Sequence, residues 1–277
     1  MSPGKAVSPS ASAASTEAAI APPSSRPRVT LSWAQGIDGS IAAAPGLRTI
    51  LSGAESMRMT HALRARHEGI LVGIGTILAD NPSLGVRLVE GRSPRPVVLD
   101  AGLRTPPGAK IFAEGRRNPI IVGARDGSPE KAGAAKDLLE GAGARILFVE
   151  RDGTGGLDLN QTLAALFAEG IGSLMVEGGA AVLASFFEAR LVDEIVITIA
   201  PVILGGLAPF AMPRFPPIGA AEAGSGREAP TARRNAAPAW LPCSLIDMKV
   251  ELLGADIVVS GHPEWQGPPG NPDSRKA

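Results

Sequence analysis

Short apolar runs alternate with longer amphipathic ones along most of this sequence, and that alternation restricts the fold more than any other feature. Residues 70–72, 96–99, 119–123, 145–149, 173–176 and 194–200 are dense in Ile, Val and Leu, as expected of strands buried on both faces of a parallel sheet. Between them, 128–143, 157–169 and 182–189 carry helical patterns, and in the second of these Leu163, Leu166 and Phe167 are expected to face inward. A strand is also expected over 29–34, ending in the turn 35–39. The capping-box spacing of Ser52-Gly53-Ala54-Glu55 predicts a helix from there to about His67. Strands alternating with helices imply a mainly parallel, three-layer α/β domain. Two last strands, 244–252 and 256–260, meet at a short turn around Gly254 and are expected to close the sheet antiparallel.

Composition narrows the role. With 277 residues, 44% of them hydrophobic, the chain can fill a sizeable core. Its 27 Lys and Arg balance 27 Asp and Glu, so no overall field draws it to nucleic acid or an anionic membrane, although local arginines can still hold one phosphate. The single cysteine, Cys243, permits no internal disulfide and no cysteine-based zinc site, in keeping with a reducing, cytoplasmic setting. No stretch approaches the ~20 apolar residues that cross a bilayer. Residues 1–27, rich in Ala, Ser and Pro, and 263–277 are expected as disordered tails around a domain over 28–262. Within it, 207–242, dominated by Pro, Gly, Ala and Arg, is expected as an irregular insertion.

Two glycine turns stand at strand ends. Gly73-Ile74-Gly75-Thr76 has the first half of a dinucleotide fingerprint, but Leu78 occupies the place of the third glycine, so the Rossmann motif fails. If 76–80 is helical, Thr76 and Asp80 present on one side; otherwise each caps a turn. In Val176-Glu177-Gly178-Gly179-Ala180-Ala181, a strand again runs into a helix, whose first amides make an anion site without basic side chains. Glu177 at that strand exit either accepts hydrogen bonds from a ligand or serves as an ordinary helix N-terminal acid. His61 and His67, six apart, share no helical face and make a poor metal pair. His-Glu-x-x-His, the Walker lysine loop and the Gly-x-Ser-x-Gly elbow do not occur.

The ordered set of motifs resembles one family. It comprises Ala34-Gln35-Gly36-Ile37-Asp38-Gly39-Ser40-Ile41-Ala42, Leu51-Ser52-Gly53, Leu63-Arg64-Ala65, the first glycine turn with Asp80-Asn81-Pro82-Ser83-Leu84, Leu99-Asp100, the second glycine turn, and Leu191-Val192-Asp193-Glu194 with Ala200-Pro201 and Leu204-Gly205-Gly206. That order is similar to the riboflavin-pathway pyrimidine reductases, whose fold is dihydrofolate reductase-like, and it spans roughly 28–206. The resemblance implies hydride transfer from NADPH to C1′ of a ribosylaminopyrimidinone 5′-phosphate, giving the ribitylamino compound, by a cytoplasmic homodimer with no nucleic-acid or membrane partner.

Carried over residue by residue, the resemblance implies that Ala34, Thr76, Asp80, Asp100 and Ala101, with the loop of Gly178, Gly179, Ala180 and Ala181, hold NADPH. Arg64, Leu84, Arg87 and Glu177 hold the substrate, Glu177 and Asp38 are the candidate catalytic groups, and no metal is implied. Many family members carry a zinc deaminase domain in the same chain; its ligand motifs do not occur in this sequence, so a stand-alone reductase is expected. The wording at 52–56 and Met59-Thr60-His61 is similar to the branch that reduces first, on the 2,5-diamino pyrimidinone. Two rival readings are a reductase with the same cradle and another small substrate, and a non-catalytic nucleotide-binding protein.

Overall fold

The computed structural model describes residues 25–44, 49–113, 117–125, 129–206, 208 and 243–265. Their elements are β1 (Arg28–Gly36), α1 (Ala54–Ala65), β2 (Gly69–Gly73), α2 (Ile74–Asp80), β3 (Arg95–Leu99), β4 (Ile120–Ala124), α3 (Pro129–Gly141) and β5 (Arg145–Val149). There follow α4 (Leu159–Ala168), β6 (Ser173–Gly178), α5 (Ala180–Glu188), β7 (Glu194–Ala200), β8 (Cys243–Leu253) and β9 (Asp256–Trp265). One sheet has the order β5-β4-β3-β2-β6-β1-β7-β9-β8. Strands β1 to β7 run parallel, and β9 and β8 add antiparallel at one edge, as the sequence predicts.

Strand alternation sends successive residues to opposite faces, and both faces are covered. Leu31, Leu71 and Val176 meet Leu163 and Leu166 of α4 and Leu183 and Phe186 of α5 on one side. Ile70, Val72 and Ile121 meet Ile77 of α2 and Leu139 of α3 on the other, where Leu63 of α1 also packs on Met175, Val196 and Val258. Each fully buried Leu, Ile or Phe contributes roughly 1.5–3 kcal/mol over leaving it exposed. Phe186, fully buried, is the largest of these side chains, and truncating such a residue to Ala costs about 3–5 kcal/mol.

Four local expectations are corrected. The buried stripe of α4 runs through Leu159, Thr162, Leu163 and Leu166; Phe167 falls at its margin and is 39% exposed rather than inward. Helix α1 has no Ser52 capping box: its N-cap is Gly53, without a side-chain cap. Instead the buried carboxylate of Asp256, at the start of β9, accepts from the Gly53 amide at 2.7 Å and from Ser56 Oγ. Strand β9 continues past the boundary expected at 262, and Trp265 stacks edge-on to Phe187 with centroids 4.7 Å apart, so 263–265 belong to the sheet and not to a tail. Arg26, assigned to the other tail, pairs with both Asp193 oxygens at 2.7 Å. The remainder of both tails, and all of 207–242 but residue 208, lie outside the described residues.

Candidate active site

The two glycine turns end adjacent parallel strands, which brings them together at the C-terminal edge of the sheet, where open α/β sheets take their ligands. Strand β2 pairs with β6 as Leu71↔Val176 and then Val72↔Gly178. Glu177 is therefore the extra residue of a bulge, a device that re-aims a side chain. Gly178 and Gly179 follow with φ of +88° and +78°, a region that favours glycine. A Cβ at Gly179 would stand 3.3 Å from Thr76 Oγ1, and one at Gly73 2.8 Å from Val182 Cγ2. The Thr76 hydroxyl donates to the Gly178 carbonyl at 3.3 Å, tying the two turns together.

Between them opens a cleft of about 750 Å³, within the range of small-molecule sites. Trp33 and Ala34 of β1, Thr76 and Asp80 of α2, Leu99 of β3 and the Glu177–Ala181 turn contribute to its wall. Segment 74–80 is helical, so Thr76 and Asp80 do share a side, and neither caps the helix, whose N-cap is Gly73. Asp80 Oδ1 is buried with no hydrogen-bond partner among the described residues. A buried acceptor of this kind requires a donor. With the first amides of α5 facing the same space, the cleft suits a ligand carrying both hydroxyl or amide donors and phosphates, as a dinucleotide does.

Behind Glu177 lies a charged cluster. Arg64, on α1, donates from Nε and Nη2 to the two Glu177 oxygens, each at 2.6 Å, and from Nη1 to the Gly85 carbonyl at 3.1 Å. The pair is 12% and 16% exposed. Burial works against the charge of Arg64, but the Glu177 carboxylate outweighs it and holds the guanidinium above its ordinary range. Close by, His61 is fully buried, and its Nδ1 accepts the Arg87 amide at 3.1 Å. Burial, reinforced by the charges of Arg64 and Arg87 and opposed by Glu177, depresses this imidazole to about 4. The Arg87 side chain is exposed.

Of the predicted residues, Ala34, Thr76, Asp80, Glu177, Gly178, Gly179, Ala180 and Ala181 line the cleft, while Arg64, outside the lining, bonds Glu177, and Arg87 bonds His61 through its amide. Four others are placed elsewhere. Leu84 is withdrawn into the core among Ile70, Val72 and Ile77, so its side chain makes no wall of the site. Asp100 is fully buried and does not line the cleft; its Oδ2 accepts the Thr105 amide and hydroxyl at 2.7 and 2.8 Å, and its Oδ1 has no hydrogen-bond partner among the described residues. Ala101 packs against the core; the β3 contribution to the cleft is Leu99. Asp38 accepts the Gly205 and Leu204 amides at 2.6 and 3.1 Å and the Ser40 hydroxyl at 2.9 Å. Those bonds, Gly205's above all, hold it below the usual carboxylate range, which makes Asp38 a tie between two loops and a poor proton donor. Sequence reasoning points to neither Trp33 nor Leu99 as a lining residue, although each adjoins a predicted residue along its strand, and it offers His61 only as part of the Met59-Thr60-His61 wording, with no signal for its contact to the Arg87 amide. Among the described residues no group of side chains is arranged to hold a metal ion, and no helix is long and apolar enough to cross a membrane.

Comparison with known proteins agrees with this geometry. The family model of the RibD C-terminal domain matches residues 27–216. The 2,5-diamino-6-ribosylamino-4(3H)-pyrimidinone 5′-phosphate reductase of Debaryomyces hansenii is 37% identical over 201 residues, covering 66% of this chain and 78% of that protein. The protein of the same name from Methanothermobacter thermautotrophicus is 38% identical over 184 residues, covering 65% and 81%. Among solved structures, the Saccharomyces riboflavin biosynthesis reductase Rib7 superimposes with a TM-score of 0.60 at 26% identity, over 86% of this chain and 90% of that one. RibD of Acinetobacter baumannii shares the fold with a TM-score of 0.64 at 24% identity, over 87% and 59%.

Proposed function

The chain belongs to the RibD C-terminal domain family, and from that premise we propose that it is the NADPH-dependent reductase of riboflavin biosynthesis that acts on the 2,5-diamino ribosylaminopyrimidinone 5′-phosphate. The observation that carries the reading is the bulge at Glu177, which sets one carboxylate between a backbone-built dinucleotide cleft and a cluster of arginines. In the net reaction C1′ takes a hydride, its bond to the ring oxygen opens, and that oxygen takes a proton. NADPH supplies the hydride when bound. The protein's own residues bind and orient: the start of α5 receives the pyrophosphate, Asp80 Oδ1 accepts from a cofactor hydroxyl or amide, and Trp33 walls the cleft against water. Arg87 reaches the ribosyl phosphate as a charge-assisted donor, and Glu177, its orientation fixed by Arg64, takes the sugar hydroxyls.

The 2,5-diamino substrate is favoured over the amino-oxo one because the two relatives above are named for it. We place the enzyme in the cytoplasm as a homodimer. For the dimer, the support is an apolar strip: the pairings Leu252↔Ile257 and Val250↔Val259 put these residues on one face of the edge hairpin, with Leu252 75% exposed. Sedimentation should give a dimer that Leu252→Glu dissociates; a wild-type monomer would remove that part of the reading. The reaction itself is tested by absorbance in the NADPH band with the diamino and amino-oxo phosphates added in parallel. Oxidation is expected with the diamino compound at the higher kcat/KM. Binding of NADPH without oxidation by either would favour the non-catalytic rival, and oxidation only with some other substrate would favour the other.

A further inference from the structure

The segment carrying Arg87 is strapped to α1 at several points. Arg64 Nη1 donates to the Gly85 carbonyl at 3.1 Å and the Arg87 amide donates to His61 Nδ1 at 3.1 Å, while the Val86 amide donates within the segment to Ser93 Oγ at 3.0 Å. His61 and Arg64 are three apart on α1 and share a face. Gly91 closes on the same helix, where a Cβ would meet Ala65 Cβ at 2.7 Å. Leu84, at φ +54° and buried, turns the chain into this strap. The Arg87 side chain is exposed and makes no ion pair among the described residues, so its backbone alone sets where the side chain starts and which region its charge can reach.

We propose that His61 is a positioning residue for the substrate half of the site: as acceptor for the Arg87 amide, its imidazole holds the Gly85-Val86-Arg87 strap on α1 and so sets where the Arg87 side chain leaves the backbone. An imidazole that accepts through Nδ1 carries its proton on Nε2 when neutral. Burial, with the charges of Arg64 and Arg87 and against the opposing carboxylate of Glu177, keeps it neutral at physiological pH. His61 Nε2 is itself buried without a hydrogen-bond partner among the described residues. A histidine retained for packing alone gains nothing from a buried, unpartnered N–H, whereas leucine of similar size would avoid that loss.

The kinetic half of the test rests on the reductase reading; the other half does not. Asparagine keeps an acceptor near the place of Nδ1, and leucine removes it. Hydrogen exchange at the Arg87 amide is expected to accelerate by about tenfold in His61→Leu and to stay near wild type in His61→Asn. In turnover, His61→Leu is expected to raise KM for the phosphorylated pyrimidine by about tenfold while kcat and KM for NADPH stay within about twofold, with His61→Asn restoring the wild-type value. On an Arg87→Ala background, His61→Leu should add nothing. An Arg87 amide that stays protected in His61→Leu overturns the proposal. So does a parallel rise of both KM values, or an undiminished loss on the Arg87→Ala background. If the wild-type protein oxidises no NADPH, the reductase reading fails while the exchange comparison still decides the strap.

Discussion

The two sides of the Glu177 bulge are made of different material. On the cleft side, shape comes from backbone: two glycines with positive φ, the start of α5, and a hydroxyl-to-carbonyl tie from Thr76 to Gly178. Beyond Glu177 the material is side chain: the Arg64–Glu177 fork, a neutral imidazole and an exposed arginine. A backbone cradle has no charge to lose and fails when its shape is filled. A side-chain network fails by degrees, as charge, pH or one partner changes.

The largest effect should follow from filling the cradle. Gly179→Val forces a branched side chain onto φ +78°, with its Cβ 3.3 Å from Thr76 Oγ1, and is expected to weaken NADPH by about a hundredfold or more. Quenching of Trp33 fluorescence reads this. Gly108→Ala, whose Cβ meets nothing within 4 Å and which does not line the cleft, is the control and should bind as wild type. Glu177→Gln comes next: turnover should fall by about a hundredfold while NADPH affinity stays within about threefold. Equal losses in both would remove Glu177 from the substrate side and erase the contrast. Thr76→Val deletes one neutral hydrogen bond, between Oγ1 and the Gly178 carbonyl, and should weaken NADPH by about fivefold with little change in KM for the pyrimidine.

The last effect is on stability and not on binding, and it is a pH slope. His61 has its folded-state value lowered from 6.5 to about 4, so between those limits the unfolded chain binds the extra proton. Its contribution to stability is complete above about 6.5 and is lost as pH falls toward about 4. Denaturant unfolding of wild type and His61→Asn across this window should show the variant with the shallower loss toward acid. Identical slopes would mean that His61 is not kept neutral by the fold.

What the sequence made legible follows from how local each feature is. Parallel strands such as Ile120–Ala124 announce themselves because burial on both faces demands an unbroken apolar run. The glycine turns were equally legible, since positive φ and close approach select glycine wherever they occur. Features made by distant partners were not. The cap of α1 comes from Asp256, 203 residues beyond Gly53, so the local Ser52 spacing misleads. The bulge at Glu177 is a property of the β2–β6 pairing and has no signature in either strand alone. Arg64 and Glu177 each looked like a free ligand group, yet across 113 residues they are each other's partner. Asp38, read as a catalytic carboxylate, ties its loop to the next through Gly205, and Asp100, which does not line the cleft, gives one oxygen to Thr105 and keeps the other buried without a hydrogen-bond partner among the described residues.

The central claim is that the cleft and the arginine cluster meet at one reacting carbon, C1′ of the ribosyl group. It is tested most directly with NADPH carrying deuterium at C4 of the nicotinamide and the 2,5-diamino ribosylaminopyrimidinone 5′-phosphate as substrate, followed by mass spectrometry and NMR of the product. One deuterium at C1′ of a ribityl chain, from one face of the nicotinamide only, is the predicted result. An unlabelled product, label at another carbon, or no ribityl product while NADPH binds would contradict it.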